Sequence, residues 1–303
     1  MLRSLLLVLS RQLWLRHWME TSPAIERLTS RFVAGSTLER EVVVCQKLNA
    51  NGYLATLDHL GESVSSLEEA EQSRDAYLAA LDQIANLNLQ GTVSVKLTQL
   101  GLDLSEPACR ANVECLAARA KQIGRVVEVD MESSAYVDRT LAIVADLHAK
   151  YGSVRAVIQA YLYRSESDIR NLCREAIPIR LVKGAYREPS DVAFPRKKDV
   201  DSSYIRLMLE LFACGTYPAI ASHDENVLNR ALEYIREHNI AADRFEFQML
   251  YGVRRDLQRR LVAAGYRLRL YVPYGNAWYP YFMRRLAERP ANVLFLARNL
   301  LKN

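Results

Sequence analysis

Eight short apolar runs, each ending on or near a polar residue and each followed by a stretch of helical periodicity, constrain this chain more than any other feature. The runs are Tyr53 to Asp58, Thr92 to Leu97, Arg125 to Asp130, Val154 to Tyr161, Pro178 to Lys183, Pro218 to Ser222, Phe245 to Met249 and Arg267 to Val272. Their length and their bounding Gly and Pro residues suit buried strands. Between them, Ser65 with Glu68 reads as a capping box before Leu67, Tyr77, Leu81 and Ile84, with Gly91 closing the segment. Ser134 opens a helix that Gly152 stops, and further helices are expected at Glu106 to Gln122, Ser167 to Glu175, Val200 to Cys214, Glu225 to His238, Arg254 to Ala264 and Trp278 to Arg289. Strand and helix alternating in this way, with connections long enough for right-handed crossovers, predict an α/β fold: a (β/α)8 TIM-type barrel with extra N-terminal helices. An open doubly wound sheet is the structural rival. Residues 1–50, with helical stretches Ile25 to Val33 and Leu38 to Leu48 parted by Gly35, read as an N-terminal helical arm, and 51–303 as one catalytic barrel.

Composition narrows the function classes. The chain is 50% hydrophobic and 25% charged, and its 40 basic residues exceed the 35 acidic ones by only five, with no long basic block. That balance argues against a nucleic-acid partner. Five cysteines, odd in number, dispersed and without a CxxC pair, point to reduced thiols in a cytoplasmic setting and away from a disulfide framework or a zinc site. Met1 to Met19 carries Arg3, Arg11 and Arg16 with no acid before Glu20, and its apolar run Leu5 to Leu9 is too short to span a bilayer. Three readings stand for it: a helix docked on its own domain or on a second subunit of a homo-oligomer, a helix lying on the inner face of a membrane, or a targeting piece that is removed.

The chemistry centres on Pro178 to Arg187, PIRLVKGAYR. Arg180 and Lys183 lie within a strand-length apolar run, and a cation in a dry sheet is costly unless an anion meets it. That anion is either an internal carboxylate or a ligand. In a barrel the carboxyl ends of the strands face one mouth, which would receive Lys96, Asp130, Gln159, Arg180, Lys183, His223, Gln248 and Tyr271. Cations outnumber anions in that set, which suggests a phosphate-bearing cofactor or a small carboxylate. No GxGxxG or GxxxxGK[ST] occurs, so a dinucleotide would bind through barrel loops. Gly184 to Asp199, with Pro189, Pro195 and the basic run Arg196 to Lys198, reads as an irregular loop at that mouth. Arg284 and Arg285 follow an aromatic-rich lead; Arg284 pairing with Glu288 on a solvated helix is the plain reading, and a carboxylate clamp is the sharper one. His223 taken alone reads more readily as a structural histidine, and Gln159 equally well as an interior hydrogen-bonding residue. Two other enzyme classes fit parts of the set: a metal-dependent lyase or isomerase using Asp130, Glu132, His223 and Asp224, or a Schiff-base enzyme using Lys96 or Lys183. A non-catalytic scaffold would rest on the N-terminal helix alone.

Taken together, SVKL around Lys96, EVDMES around Asp130, VIQAYL around Gln159, RLVKGAYR, ASHDEN around His223, FEFQMLYG and the closing YVPYG with RRLAE resemble the proline dehydrogenase family, from about Gly52 to Phe295. The lack of an appended aldehyde-dehydrogenase part resembles the small single-domain subfamily. The resemblance implies FAD held without a covalent link in a distorted barrel, and oxidation of L-proline to 1-pyrroline-5-carboxylate, the first step of proline catabolism to glutamate. It further implies electrons passed to a membrane quinone and a pyrroline-5-carboxylate dehydrogenase downstream. Carried over by position, Lys96, Arg284 and Arg285 would bind the proline carboxylate and Tyr271 would pack on its ring. Asp130 would orient those groups, Arg180 would lie near the flavin, and Met131, Gln159, Lys183, Gly184, Ala185, Ser222 and His223 would line FAD. Leu250 and Glu288 would support the pocket. Arg187 stands where long bifunctional relatives carry tryptophan, Ser222 where they carry threonine, and Gly275 to Arg284 is shorter than its counterpart in them.

Overall fold

In the computed structural model, residues 29–61, 64–279 and 281–283 are described. An N-terminal helix α1 (Leu38–Ala50) leads into β1 (Leu54–His59), and the chain then alternates through α2 (Leu67–Asn86), β2 (Gly91–Val95), α3 (Glu106–Gln122), β3 (Val127–Val129), α4 (Val137–Tyr151), β4 (Val154–Gln159), α5 (Ser165–Arg174) and β5 (Ile179–Val182). It continues with α6 (Lys197–Cys214), β6 (Ala219–Ala221), α7 (Glu225–Glu237), β7 (Glu246–Leu250), α8 (Arg255–Ala263) and β8 (Leu268–Tyr274). The strands are all parallel and close in chain order, with β8 returning to β1 along Leu54 to His59. The closed cylinder excludes the open sheet, and the helix expected at Trp278 to Arg289 falls largely outside the described residues.

Local chemistry explains several helix starts. Ser105 caps α3 through the Ala108 amide at 3.4 Å, and Asp224 caps α7 through Asn226 at 3.1 Å. The box at α2 sits one residue later than expected: Ser66, rather than Ser65, accepts from the Glu69 amide, while Glu69 reaches back to the Ser65 amide at 2.7 Å. A 3-10 turn, Ser134–Tyr136, precedes α4. Helix α6 starts at Lys197, because Asp199 and Asp201 neutralise the basic run Arg196–Lys197 in its first turn and let it wind before Val200.

The two faces of the strands part company sharply. Outward residues such as Leu57, Val93, Val95, Val127, Val129, Ile158, Leu181, Ile220, Phe247 and Leu270 join Tyr77, Leu81, Leu116, Ile143, Leu207 and Leu228 from the helices in one apolar shell around the cylinder. From α1, Val42 and Cys45 belong to the same shell. Inside, aliphatic layers would be usual for this architecture, yet the lumen is ionic. Arg269 grips Glu246 in a fork at 2.8 and 3.0 Å, Arg155 Nη1 lies 2.7 Å from Glu246 and 3.3 Å from Glu128, and Arg180 Nη1 donates to Glu128 at 2.8 Å. Gln248 donates to both carboxylates, and Thr92 and Thr56 donate to Glu128, sharing oxygens with the arginines. Gln248 therefore belongs to the interior and not to the mouth.

Burial by itself would raise the Glu128 and Glu246 carboxyls, but the surrounding arginines overcome it and hold both below the ordinary range. Stability from such groups is present above the unfolded carboxyl value and is lost as pH falls toward the folded one. The urea midpoint should accordingly be flat near neutrality and fall below about pH 4.3, with a shallower fall in Glu246→Gln. Glu246→Ala, which strips Arg155 and Arg269 of their shared partner, should cost on the order of 3–5 kcal/mol; a wild-type midpoint for that variant would rule out the network as a structural element.

Candidate active site

At the carboxyl end of the cylinder, one carboxylate gathers side chains from three other strands, β2, β5 and β8. Asp130 follows β3 and accepts from Ser94 at 2.9 Å, from the Tyr271 hydroxyl at 2.9 Å, from Lys96 Nζ at 3.3 Å and from Arg180 Nη2. Arg180 also donates to Ser94 at 3.1 Å, and its guanidinium lies 5.4 Å from the centroid of the Tyr271 ring. Alternation explains why these residues meet: Ser94, Glu128, Arg180 and Tyr271 all point inward, and parallel register stacks Ser94 against Glu128 and Thr56 against Tyr271. Burial first, and the Asp58 charge second, push the Tyr271 phenol well above its ordinary value, so it serves as a neutral donor to Asp130.

The surplus of cations expected at the mouth is not found among the described residues. Arg180 is met by Glu128 and Asp130, Lys96 lies between Asp130 and Asp58 (3.8 Å), and Lys183 is held by Asp201 at 2.5 Å and Asp224 at 2.9 Å. Glu128 and Asp130 come from β3 and its end and Asp58 from β1, whereas Asp201 on α6 and Asp224 at the cap of α7 lie where strand periodicity makes no connection to the mouth. Arg155, Arg180, Arg269 and Lys96 thus stand against Asp58, Glu128, Asp130 and Glu246 in the lumen and its rim. Asp58, Ser94, Glu128, Arg155, Glu246 and Arg269 were not identified as site residues from sequence, and the only signal for them was inward alternation on their strands. Arg284, Arg285 and Glu288 lie outside the described residues.

The other named residues form an arc over β3 to β7. Met131 is buried beside Tyr161, Gln159 donates to the Glu132 carbonyl at 2.8 Å, and Ser222 accepts from the Asp224 amide at 3.1 Å. His223 Nε2 accepts from the Leu250 amide at 2.9 Å, which ties the end of β6 to the end of β7. Gly184 adopts φ +112 with its α-carbon against the Tyr161 ring, where a Cβ would meet Cδ1 at 2.2 Å. The segment beyond it is strapped down: Phe194 and Tyr161 pair backbone to backbone at 2.8 Å, and Glu188 accepts from the Ser134 amide at 2.7 Å and its hydroxyl at 2.5 Å. Glu132 is bonded to Thr98, Asp224 to Lys183 and His223 to Leu250, so the residues considered for a metal centre are separately engaged. Among the described residues no group of three or more His, Cys, Asp or Glu side chains could hold a metal ion.

The family model described as proline dehydrogenase matches residues 42–298. The chain belongs to the proline dehydrogenase family. It is 43% identical over 273 residues to proline dehydrogenase 1 of Bacillus subtilis, covering 90% of each chain, and 40% identical over 280 residues to proline dehydrogenase of Deinococcus radiodurans, covering 91% of this chain and 90% of that one. The crystal structure of proline utilization A from Bdellovibrio bacteriovorus, inactivated by N-propargylglycine, superposes with a TM-score of 0.80 at 26% identity. That match takes in 86% of this chain and 32% of the much longer relative. In this family member the Asp130 cluster and the strapped mouth segment share the same barrel rim.

Gly184→Ala should disturb that rim twice, through its positive φ and through the Tyr161 ring, at a cost of about 1–3 kcal/mol. The expected result is faster proteolytic cleavage between residues 184 and 196 in the variant. Cleavage at the wild-type rate would show that the backbone there absorbs a side chain without strain.

Proposed function

We propose that this chain oxidises L-proline to 1-pyrroline-5-carboxylate with non-covalently held FAD and passes the electrons to a membrane quinone. The observation that carries the reading is the Asp130 cluster: a lysine, an arginine and a buried tyrosine fixed on one carboxylate at the barrel mouth of a proline dehydrogenase family member. Lys96, with Arg284 and Arg285, takes the proline carboxylate, and the Tyr271 ring packs against the pyrrolidine. Asp130 sets the orientation of Lys96, Arg180 and Tyr271 by accepting from all three. Their hydrogen bonds leave no group that has to act as a strong base, so proline reacts with its amine already deprotonated.

The donor set around the mouth suits FAD. Met131, Gln159, Lys183, Gly184, Ala185, Ser222 and His223 lie on neighbouring strand ends, the Gly184–Ala185 backbone is accessible, and Lys183 keeps partial exposure despite its two carboxylates. Arg180 Nε is a buried donor without an acceptor among the described residues. When bound, FAD supplies the two-electron acceptor for the C–H bond beside the ring nitrogen. We assign 1-pyrroline-5-carboxylate to a separate dehydrogenase. The basic N-terminal segment of the 1–50 arm is assigned to the cytoplasmic face of the membrane or to a second subunit. No helix among the described residues is long and apolar enough to cross a membrane.

Among the described residues of the lumen and rim, four cations matched by four carboxylates leave no spare positive charge for an incoming carboxylate, so in this reading that charge falls to Arg284 and Arg285. A charge-assisted hydrogen bond is worth roughly 1.5–3 kcal/mol, so Arg284→Ala or Arg285→Ala should raise KM for proline about 10- to 100-fold. The purified protein should be yellow and should bleach anaerobically with L-proline. An unchanged KM in both variants would sink the clamp, and a colourless protein whose activity a chelator abolishes would replace the flavin reading with the metal one.

A further inference from the structure

The cysteines look solitary in the sequence, yet the fold brings two of the five together. Cys173 is the penultimate residue of α5 and Cys214 the last of α6, and their Sγ atoms lie 2.7 Å apart across 41 positions of chain. Cys214 is exposed and Cys173 half-buried, whereas Cys45 and Cys109 are sealed in the core; Cys115, on α3, is also exposed. Both thiols of the pair are therefore placed for chemistry with each other, and one of them faces solvent. Helix carboxyl ends lead into the amino ends of strands, so the pair sits at the face of the barrel opposite Asp130.

We propose that Cys173 and Cys214 form a modification site, oxidised by a hydroperoxide to an intramolecular disulfide that ties α5 to α6. In the first step the Cys214 sulfur attacks the peroxide O–O bond, giving a sulfenic acid and one water when hydrogen peroxide is the oxidant. The Cys173 sulfur then attacks the Cys214 sulfur, the S–O bond breaks, and a second water leaves with the Cys173 proton. Two thiols lose two electrons and the peroxide gains them. Burial, and then the hydrogen bond with Cys214, push the Cys173 thiol up to about 12, so little of it is thiolate and the exposed Cys214 reacts first, while contact between the two sulfurs places Cys173 to resolve the sulfenic acid. The bond would enclose β5 and the whole mouth segment in one covalent loop, restricting the unfolded chain while leaving the distant Asp130 cluster unstrained.

The test uses the full-length holoenzyme, treated with hydrogen peroxide or with dithiothreitol. Peroxide should join the tryptic peptides 171–174 and 207–230, lower the thiol count in denaturant from five to three, and raise Tm by ~5 °C. Dithiothreitol should reverse all three, and proline turnover should stay as it was. Cys214→Ser, and Cys173→Ala as the independent second variant, should lose both the cross-link and the Tm rise. Recovery of the two peptides unlinked from peroxide-treated protein would overturn the proposal, as would a cross-link between chains through Cys115 in their place.

Discussion

Glu128 and Glu246 hold this barrel together from the inside. Between them they take hydrogen bonds or ion pairs from Arg155, Arg180 and Arg269, side chains carried by three different strands. A lumen filled with guanidinium groups would be prohibitive without them, since an unpaired buried charge is worse than an apolar filling. Apolar layers would also close a barrel, but they would not orient anything at its rim. Here Arg180 uses Nη1 on Glu128 below and Nη2 on Asp130 and Ser94 above, so the interior network and the mouth share one guanidinium. The position of Asp130, and through it of Lys96 and Tyr271, is thus fixed from beneath.

That arrangement explains an apparent waste. Four arginine and lysine side chains in the lumen and rim are spent on protein carboxylates, not on ligand. Their function is geometric: a forked guanidinium bonded on two sides cannot rotate, and a tyrosine whose ring faces Arg180 and whose hydroxyl meets Asp130 has one orientation. Preorganisation of this kind is what the proposed oxidation of proline by a flavin would require, because the reacting carbon has to be held at contact distance and in line.

Much of the architecture was readable before any coordinates. Outward residues such as Val93, Val127, Leu181 and Phe247 alternate with polar ones in short runs, and α3 runs over Glu106–Gln122 as expected. The electrostatics were not readable in the same way. Alternation puts Glu246 on the inner face, but nothing local says that its partner is Arg155, 91 positions earlier, because that pairing depends on closure of the cylinder. Lys183 looked like a ligand-binding cation, and its neutralisation by Asp201 and Asp224 follows from where α6 and α7 begin, a matter of a few residues in helix start sites. Cys173 and Cys214 looked isolated for the same reason: helix packing, not spacing, brings them into contact.

Charge balance carries the remaining argument. With Lys96, Arg155, Arg180 and Arg269 set against Asp58, Glu128, Asp130 and Glu246, the described lumen and rim are close to neutral, so a bound carboxylate would meet little net attraction. In the proposed reading the missing attraction is supplied by two adjacent guanidiniums, Arg284 and Arg285, from the closing segment of the chain. Discrimination then divides between two sources. On that reading the fixed cluster would select shape, through the Tyr271 ring and the rigid Asp130 hub, and the late arginine pair would select charge. A neutral analogue of proline would forfeit the second contribution while keeping the first, which is why the two can be separated by chemistry on the ligand alone.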